Sequence, residues 1–251
     1  MHRFFLPSDS IDGSVVRFPD STSRQLSRVL RVQIGEKVAV LDNTGWEYEV
    51  TLTNFLDNQS ALGHVEESRL CPGEPNLRIT LNQCVLKGSN FDLVLQKCTE
   101  VGVSSFVPVY SERTIPNMGT NSAQSRRECR WRRILTEAAE QSGRGLIPTL
   151  NQGIDFRTAC KKVSDTAIIP WEEERSTGLQ GVLREIKSVE DPLSRMEIFI
   201  GPEGGFSTFE VDYARSLGII PVSLGARILR AETAAIASVS GVMYELGLLG
   251  G

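Results

Sequence analysis

A glycine-rich loop towards the carboxyl-terminal end of the chain combines the residue types best suited to binding a ligand. Its sequence is Gly201-Pro202-Glu203-Gly204-Gly205, and it follows the apolar run 198–200. The glycines leave little side chain in the loop, so a ligand can approach the backbone closely. Ser207, with Glu210 three residues later, predicts a capping box at the start of a helix. Open α/β sheets bind ligands at such junctions of strand, glycine turn and helix.

A second loop repeats this arrangement further along the chain. Residues 223–234 leave a strand-like run, turn at Gly225 and enter a predicted helix. An apolar wall with a few polar groups suits an aromatic, partly polar ligand such as an adenosine moiety. For either loop taken alone, a structural turn before a capped helix is the alternative interpretation. The second loop mixes apolar and charged side chains, namely Leu224, Ile228 and Leu229 with Arg227, Arg230 and Glu232.

The two loops lack the fingerprints of nucleotide sites that hold phosphates. Neither contains G-x-x-x-x-G-K-[ST] or G-x-G-x-x-G, which disfavours a P-loop and a dinucleotide-binding fold. Glu172, Glu203 and Glu232 could bind magnesium, but their spacing matches no recognised metal loop. His2 and His64 lie far from the loops, and the five cysteines form no C-x-x-C pair. Zinc, acyl-transfer and thioester chemistry are therefore disfavoured, and we predict no metal site.

Arginines form two local clusters on a chain whose net charge is −4. One cluster lies within residues 3–31, and the other opens a predicted helix at 125–143. Clustered arginines can bind phosphates even on an acidic protein, and two clusters on two domains suit an extended polyanion such as RNA. A solvated helix face is the alternative for the helical run. The candidate RNA-binding residues are Arg3, Arg24, Arg28, Arg31, Arg126, Arg127, Arg130, Arg133 and Arg144.

The elements that must position these residues begin with a β-rich part, 1–72. The clearest signal there is a hairpin at 37–52 around an Asp-Asn-Thr-Gly turn. A short helix at 21–31 should place apolar side chains on one face and Arg24, Arg28 and Arg31 on a neighbouring face. The expected apolar residues are Leu26, Val29 and Leu30. We predict a short β-barrel with one helix for this part.

The rest of the chain has a different pattern. Segment 71–75 contains two prolines and a glycine and is the best candidate linker. After it, strands and helices alternate, which predicts an α/β fold and a domain at 73–251. A long polar loop is expected at 111–124. The predicted helices lie at 91–101, 125–143, 155–162, 179–187, 207–217 and 232–246. No apolar run approaches the ~20 residues that span a bilayer, and the amino terminus has too short an apolar core for a signal peptide. Scattered cysteines in odd number fit reduced thiols, so we expect a cytoplasmic protein.

Two carboxyl-terminal motifs together resemble a known enzyme class. They are Ile200-Gly201-Pro202-Glu203-Gly204-Gly205-Phe206-Ser207 and Leu224-Gly225-x-Arg227-Ile228-Leu229-Arg230-x-Glu232-Thr233-Ala234. The pair is similar to motifs of the SPOUT-class methyltransferases. More closely, it resembles the bacterial family that methylates N3 of a uridine in small-subunit (16S) ribosomal RNA. The resemblance runs through nearly the whole chain, including Arg28-Val29-Leu30-Arg31, Gln96-Lys97-x-Thr99-Glu100 and Arg130-Trp131-x-Arg133-Ile134.

The resemblance implies properties that residue patterns do not give. Residues 73–251 would form an α/β trefoil-knot domain that binds S-adenosylmethionine, and residues 1–72 would form a PUA-like β-barrel that binds RNA. The protein would act as a homodimer on 16S ribosomal RNA or the small ribosomal subunit. Its activity would be that of an S-adenosylmethionine-dependent rRNA (uracil-N3) methyltransferase. General topology rules argue against a knot, because knots are very rare.

The resemblance also assigns site residues. The cofactor would contact three loops, through Pro170, Trp171, Ile200, Gly201, Glu203, Gly204, Gly205, Leu224, Gly225, Ile228, Leu229 and Thr233. Trp171 and the acidic run 172–174 depart from the family pattern. For catalysis, we predict that Arg230 stabilises the anion formed as uracil N3 loses its proton. Glu232 or Glu203 would take that proton.

Two other function classes fit parts of the chain. A non-catalytic RNA-binding module acting in ribosome assembly would use the arginine clusters and would have no cofactor pocket. A nucleotide-binding enzyme would hold magnesium at its acidic residues. Binding of S-adenosylhomocysteine separates the methyltransferase from the first class, and loss of activity on chelation would favour the second.

Overall fold

The computed structural model describes residues 1–56, 60–114, 121–188 and 193–249, and it divides into two compact units. The first unit comprises Met1–Glu74 and Ala139–Ile147. The second comprises Pro75–Ala138 and Pro148–Gly251. None of the helices in the described ranges is long and apolar enough to cross a membrane.

The first unit contains one six-stranded sheet. Its strands are β1 (Arg3–Phe5), β2 (Ile11–Asp12), β3 (Val15–Arg17), β4 (Lys37–Leu41), β5 (Trp46–Phe55) and β6 (Ala61–Leu70). Their order across the sheet is β1-β4-β5-β6-β3-β2. The predicted hairpin is confirmed, because β4 pairs antiparallel with β5 and the turn places Asn43 and Gly45 at φ 62° and 98°. Alternate inward side chains form its core, including Phe4, Phe18, Val38, Val40, Val50 and Leu52.

The predicted helix at 21–31 is only partly correct. An α-helix, α1 (Asp20–Arg24), continues as a π-helical turn over Gln25–Leu30 and ends at Arg31, whose φ is 56°. A π-helical turn is wider than an α-helical one and changes the spacing of side chains. Leu26 is buried as predicted, but Val29 is 72% exposed. The expected α-helical alignment of Arg24, Arg28 and Arg31 is therefore wrong, although all three are exposed.

The second unit contains a parallel sheet, which confirms the predicted α/β fold. Its strands are β7 (Arg78–Cys84), β8 (Val103–Tyr110), β9 (Thr149–Leu150), β10 (Ile154–Asp155), β11 (Thr166–Pro170), β12 (Arg195–Ile200) and β13 (Ile220–Val222). Their order is β10-β8-β7-β12-β11-β13, with β9 also beside β8, and the described pairs are parallel. The sheet core includes Cys84, Ala167, Ile169, Phe199 and Val211.

Helices alternate with these strands close to the predicted positions. They are α2 (Asn90–Val101), α3 (Asn121–Ser142), α4 (Phe156–Lys162), α5 (Leu179–Lys187), α6 (Thr208–Ser216) and α7 (Ala231–Glu245). The predicted bounds of α5 are confirmed. α3 begins four residues before the predicted 125, and part of the predicted loop 111–124 lies outside the described residues. The capping box is confirmed, since Ser207 Oγ accepts from the N–H of Glu210 and Glu210 Oε2 accepts from the N–H of Ser207.

The strand order brings distant loops to one edge of the sheet. β7, β12, β11 and β13 are neighbours and run parallel, so the loops after them emerge on the same side. Those loops are 85–89, 201–207, 171–178 and 223–230. Ligand sites of parallel α/β sheets form at this carboxyl edge.

Candidate active site

The glycine-rich loop after β12 is a tight turn whose shape depends on its glycines. The N–H of Gly205 donates to Pro202 O at 2.9 Å and closes the turn. Gly205 has φ 66°, in the left-handed region that side chains disfavour, and a Cβ there would collide with the carboxylate of Glu172. A Cβ on Gly201 would lie 3.2 Å from the ring of Phe206. The positive φ of Gly205 therefore disfavours any other residue there, and a side chain at Gly201 would require Phe206 to shift.

Hydrogen bonds from neighbouring segments hold the glycine-rich loop and the start of α6 in place. Glu203 Oε1 accepts from the backbone N–H of Lys87 at 2.8 Å. Gly204 O accepts from Arg113 Nη1 at 2.8 Å, and Glu210 Oε1 accepts from the N–H of Glu112 at 2.8 Å. These bonds hold the loop in place, and one carboxylate oxygen of Glu203 already accepts a backbone hydrogen bond.

The end of β13 is bonded to both ends of loop 171–178. The N–H of Trp171 donates to Val222 O at 3.0 Å. The N–H of Ser223 donates to Thr177 O at 2.8 Å, and the N–H of Leu179 donates to Ser223 O at 3.1 Å. These bonds hold the loops after β11 and β13 together as two adjoining walls.

The loops enclose a cleft of 440 Å³ at the carboxyl edge of the sheet. A smaller cavity of 70 Å³ adjoins it and shares five of its lining residues, Pro170, Glu172, Ile228, Leu229 and Ala234. The three candidate catalytic residues all line the larger cleft. So do eight predicted cofactor-binding residues, Pro170, Ile200, Gly201, Glu203, Gly204, Gly205, Ile228 and Leu229.

The remaining predicted cofactor residues divide into two groups. Trp171, Leu224 and Gly225 line the smaller cavity. Thr233 lines neither cavity and is exposed on α7. Successive side chains of an α-helix point about 100° apart, so Thr233 does not share the direction of Glu232, and its contact with the cofactor stays a prediction.

Several lining residues were missed by the sequence reasoning. Asn90, Phe206 and Ala231 line the larger cleft, Arg175 lines the smaller cavity, and Glu172 lines both. Glu172 is predicted from the sequence as a possible magnesium ligand and as part of the acidic run 172–174, but not as a cofactor contact. No group of three or more potential metal ligands occurs within the described ranges. Asn90 follows the loop after β7, and only the strand order shows that this loop adjoins the glycine-rich loop.

Two charged side chains of the cleft, those of Arg230 and Glu232, are not engaged in ion pairs within the described ranges. Arg230 is exposed and is the N-cap residue of α7, where its side chain makes no cap bond. Glu232 is half-buried in the first turn of α7, where the helix dipole favours a negative charge. Neither side chain forms an ion pair with another residue in the described part of the chain. Both charges can therefore act on a ligand.

The helical arginine cluster is partly exposed. Arg126 is exposed, and Arg133 is 75% exposed with a weak partner in Glu137 on the same helix. The guanidinium of Arg127 lies 5.2 Å from the ring centre of Trp131. Arg130 forms an ion pair with Asp92 at 2.5 Å. The outward part of this cluster remains suited to phosphate contacts.

Two of the candidate RNA-binding arginines instead hold the first unit together, which corrects the prediction. The side chain of Arg144 is 3% exposed and makes two bonds to the carboxylate of Glu74, at 2.9 and 3.2 Å. Arg3 is 18% exposed and pairs with Glu47 at 2.5 Å. A guanidinium already buried against a carboxylate is not free to bind a phosphate.

Comparisons with known proteins show the family to which this fold is related. Residues 73–243 match the RNA methyltransferase domain family. A Synechocystis protein named ribosomal RNA small subunit methyltransferase E is 32% identical, over 93% of this chain and 74% of that protein. Its Bacillus subtilis namesake is 28% identical, over 98% and 93%. The crystal structure of the Neisseria gonorrhoeae namesake bound to S-adenosyl methionine has a TM-score of 0.85 and 32% identity, over 97% of each chain.

Proposed function

The chain belongs to the RNA methyltransferase family, and we propose that it methylates N3 of a uridine in small-subunit ribosomal RNA with S-adenosylmethionine as donor. One observation carries the proposal. The loops after β11, β12 and β13 enclose a cleft with glycine backbone and apolar walls, in a fold shared over 97% of the chain with a relative crystallised with this cofactor.

The residues of the cleft fit S-adenosylmethionine. The ligand has no phosphate, in keeping with loops that lack phosphate-binding fingerprints. Trp171 Nε1 is a buried donor with no hydrogen-bond partner within the described ranges, and such donors are rare unless a ligand or water satisfies them. The side chains of Ile228 and Leu229, which line both cavities, offer apolar cover for an adenine ring. When bound, the sulfonium of the cofactor supplies an activated methyl group.

The chain's own charges support a role in preparing the acceptor. Uracil N3 carries a weakly acidic proton that must leave for N3 to accept a methyl group. Glu232 takes this proton, and Arg230 stabilises the negative charge that develops on the base. Glu203 holds the turn after β7 through its bond to Lys87, so we propose it as a positioning residue rather than the base.

The RNA must present the uridine in an unpaired form. N3 lies on the Watson–Crick edge, which base pairing covers, so the nucleotide has to be single-stranded or flipped out. Exposed arginines on both units support RNA binding through phosphates. They are Arg24, Arg28 and Arg31 on the first unit and Arg126 and Arg133 on the second.

The family resemblance also implies an architecture of two domains. We propose a PUA-like domain at 1–72 and a knotted catalytic domain at 73–251. The bonds of Val222 and Ser223 to both ends of loop 171–178 support a chain threaded through that loop. A homodimer is proposed from the family resemblance, and light scattering coupled to gel filtration tests it.

Two measurements on the full chain test the function. Calorimetry with S-adenosylhomocysteine should show saturable binding, and small-subunit ribosomal RNA should gain label from S-adenosylmethionine labelled in its methyl group. RNA binding without either result would indicate a non-catalytic RNA-binding module instead. Labelling that stops on chelation would indicate a metal-dependent enzyme.

A further inference from the structure

We infer that the carboxamide of Asn90, at the cleft, recognises the 4-carbonyl of the target uracil and so selects uridine over cytidine. This inference rests on the proposed function and names the part of the site that sets its base specificity. Asn90 is half-buried and lines the larger cleft together with residues of the two glycine-containing loops.

The chemical composition of the cleft singles out Asn90. Its lining side chains in the described part of the chain include three carboxylates, which only accept hydrogen bonds, and the guanidinium of Arg230, which only donates. The other lining residues are apolar or glycine. Asn90 is the lining side chain that is neutral and carries both a donor and an acceptor. A neutral base that presents both carbonyl oxygens and an N–H matches such a group.

Contacts on both sides fix the backbone that carries this carboxamide. The N–H of Asn90 donates to Lys87 O at 3.3 Å, and the N–H of Lys87 is held by Glu203 at 2.8 Å. On the other side, the ring of Phe91 is buried with its centre 4.3 Å from that of Trp131. Asp92 is bound by Arg130 at 2.5 Å. Asn90 itself begins α2, so its side chain projects from a rigid helix end.

Uracil and cytosine differ in what they present at position 4. Uracil presents a carbonyl oxygen, which accepts, and cytosine presents an amino group, which donates. Asn90 Nδ2 donating to the uracil carbonyl also draws negative charge onto that oxygen as N3 loses its proton. An aspartate of the same shape can only accept, so it would disfavour uracil and favour cytosine. This makes Asn90→Asp a direct test of the inference.

The experiment compares Asn90→Asp and Asn90→Ala with the wild-type chain and with Ser89→Asp. Ser89 is exposed, does not line the cleft and precedes Asn90, so Ser89→Asp adds the same charge next to the site without entering it. The nucleotide methylated by the wild type is first mapped by mass spectrometry. Small-subunit RNA is then made with uridine or cytidine at that position, and kcat/KM is measured for each RNA.

We expect Asn90→Ala to lower kcat/KM for the uridine RNA about tenfold, the usual loss when a buried hydrogen bond is left unmade. Asn90→Asp should lower it about a hundredfold and shift the uridine-to-cytidine ratio towards cytidine at least about tenfold. Ser89→Asp should match the wild type. The affinity of every variant for S-adenosylhomocysteine should stay within about twofold, because Asn90 is assigned to the base and not to the cofactor.

Three outcomes would overturn the inference. An unchanged uridine-to-cytidine ratio in Asn90→Asp would show that Asn90 does not recognise the base. Equal losses on both RNAs together with lost S-adenosylhomocysteine binding would show a structural role. A wild-type chain that binds S-adenosylhomocysteine but forms no N3-methyluridine would overturn the proposed function as well, which distinguishes the two failures.

Discussion

The first unit and the cleft of the second unit use charged side chains in opposite ways. In the first unit, Glu47 is 2% exposed and is bonded by both Arg3 and Arg69, and Arg144 is buried against Glu74. In the cleft, Arg230 and Glu232 form no ion pair with any residue in the described ranges. The same residue types thus serve structure where they are paired and remain available for chemistry where they are not.

The pKa of the Glu47 carboxyl reflects its pairing with arginines. Burial by itself would raise the pKa of the Glu47 carboxyl, but hydrogen bonds and charges from Arg69 and Arg3 outweigh it and hold that pKa below its ordinary value. Removing one partner of a buried pair leaves an uncompensated charge. Removing an unpaired charge from an open cleft leaves the fold intact. Mutations in the two regions should therefore affect different measurements.

The largest effect is expected for Arg230→Ala. Loss of one group that stabilises developing negative charge lowers kcat by about 10²–10³-fold. The free energy of unfolding should change by less than about 0.5 kcal/mol, since the side chain has no partner in the described ranges. Steady-state methylation of small-subunit RNA and urea denaturation measure the two quantities. Arg230→Lys should recover part of the rate, and a wild-type rate in Arg230→Ala would contradict the assignment.

Arg144→Ala should show the reverse pattern. It removes the buried guanidinium that pairs with the half-buried carboxylate of Glu74 and should lower the free energy of unfolding by about 3 kcal/mol. Arg133→Ala is the matched control, because Arg133 is 75% exposed and should change stability by less than about 0.5 kcal/mol. Arg133→Ala should instead reduce the salt dependence of RNA binding. Equal stability of the two variants would refute the structural role of Arg144.

The pH dependence of the free energy of unfolding in Glu47→Gln tests whether the paired charges of the first unit stabilise the fold. The folded-state pKa of Glu47 is lowered, so its ion pairs contribute stability above the ordinary carboxyl value of 4.5, and that contribution is lost as pH falls through the folded pKa. At neutral pH the variant should be about 2 kcal/mol less stable than the wild type, and the difference should shrink on acidification. Glu49→Gln on the same strand should cost less than about 1 kcal/mol, since its partner Lys37 is exposed. Urea denaturation across pH checks both, and a pH-independent difference would contradict the account.

The smallest effect concerns the backbone of the cleft. Gly205→Ala must hold a side chain at φ 66° against Glu172 and should weaken S-adenosylhomocysteine binding about tenfold. Gly204→Ala is the matched variant, because its Cβ would only reach the side chain of Arg113 at 3.4 Å, an ordinary contact. Gly204→Ala should weaken S-adenosylhomocysteine binding by less than about threefold. Calorimetry measures both affinities, and an equal loss would show that the left-handed turn is not what shapes the site.

Local sequence signals predicted much of this molecule. The capping box of Ser207 and Glu210, the hairpin at 37–52 and the bounds of α5 each depend on residues close together in the chain, and all three are confirmed. The two glycine-containing loops were also found, because each follows an apolar strand and precedes a helix. Such signals need no knowledge of the tertiary fold.

Features set by distant partners could not be predicted in this way. Arg144 was assigned to RNA because its partner, Glu74, lies seventy residues earlier. Asn90 and Glu172 were missed because the neighbouring positions of β7, β11 and β12 follow from the strand order and not from any local pattern. Val29 is exposed because it lies in the π-helical turn Gln25–Leu30, where side chains do not follow the α-helical spacing on which the prediction was based.

The chemical identity of the product tests the proposed function most directly. Small-subunit ribosomal RNA is incubated with the wild-type chain and S-adenosylmethionine carrying a deuterated methyl group, then digested and separated against nucleoside standards. We expect deuterated N3-methyluridine as the product, formed about 10²–10³-fold more slowly by Arg230→Ala. A deuterated methyl group on uracil C5 or on a ribose 2′-oxygen, or no transfer by a chain that binds S-adenosylhomocysteine, would contradict it.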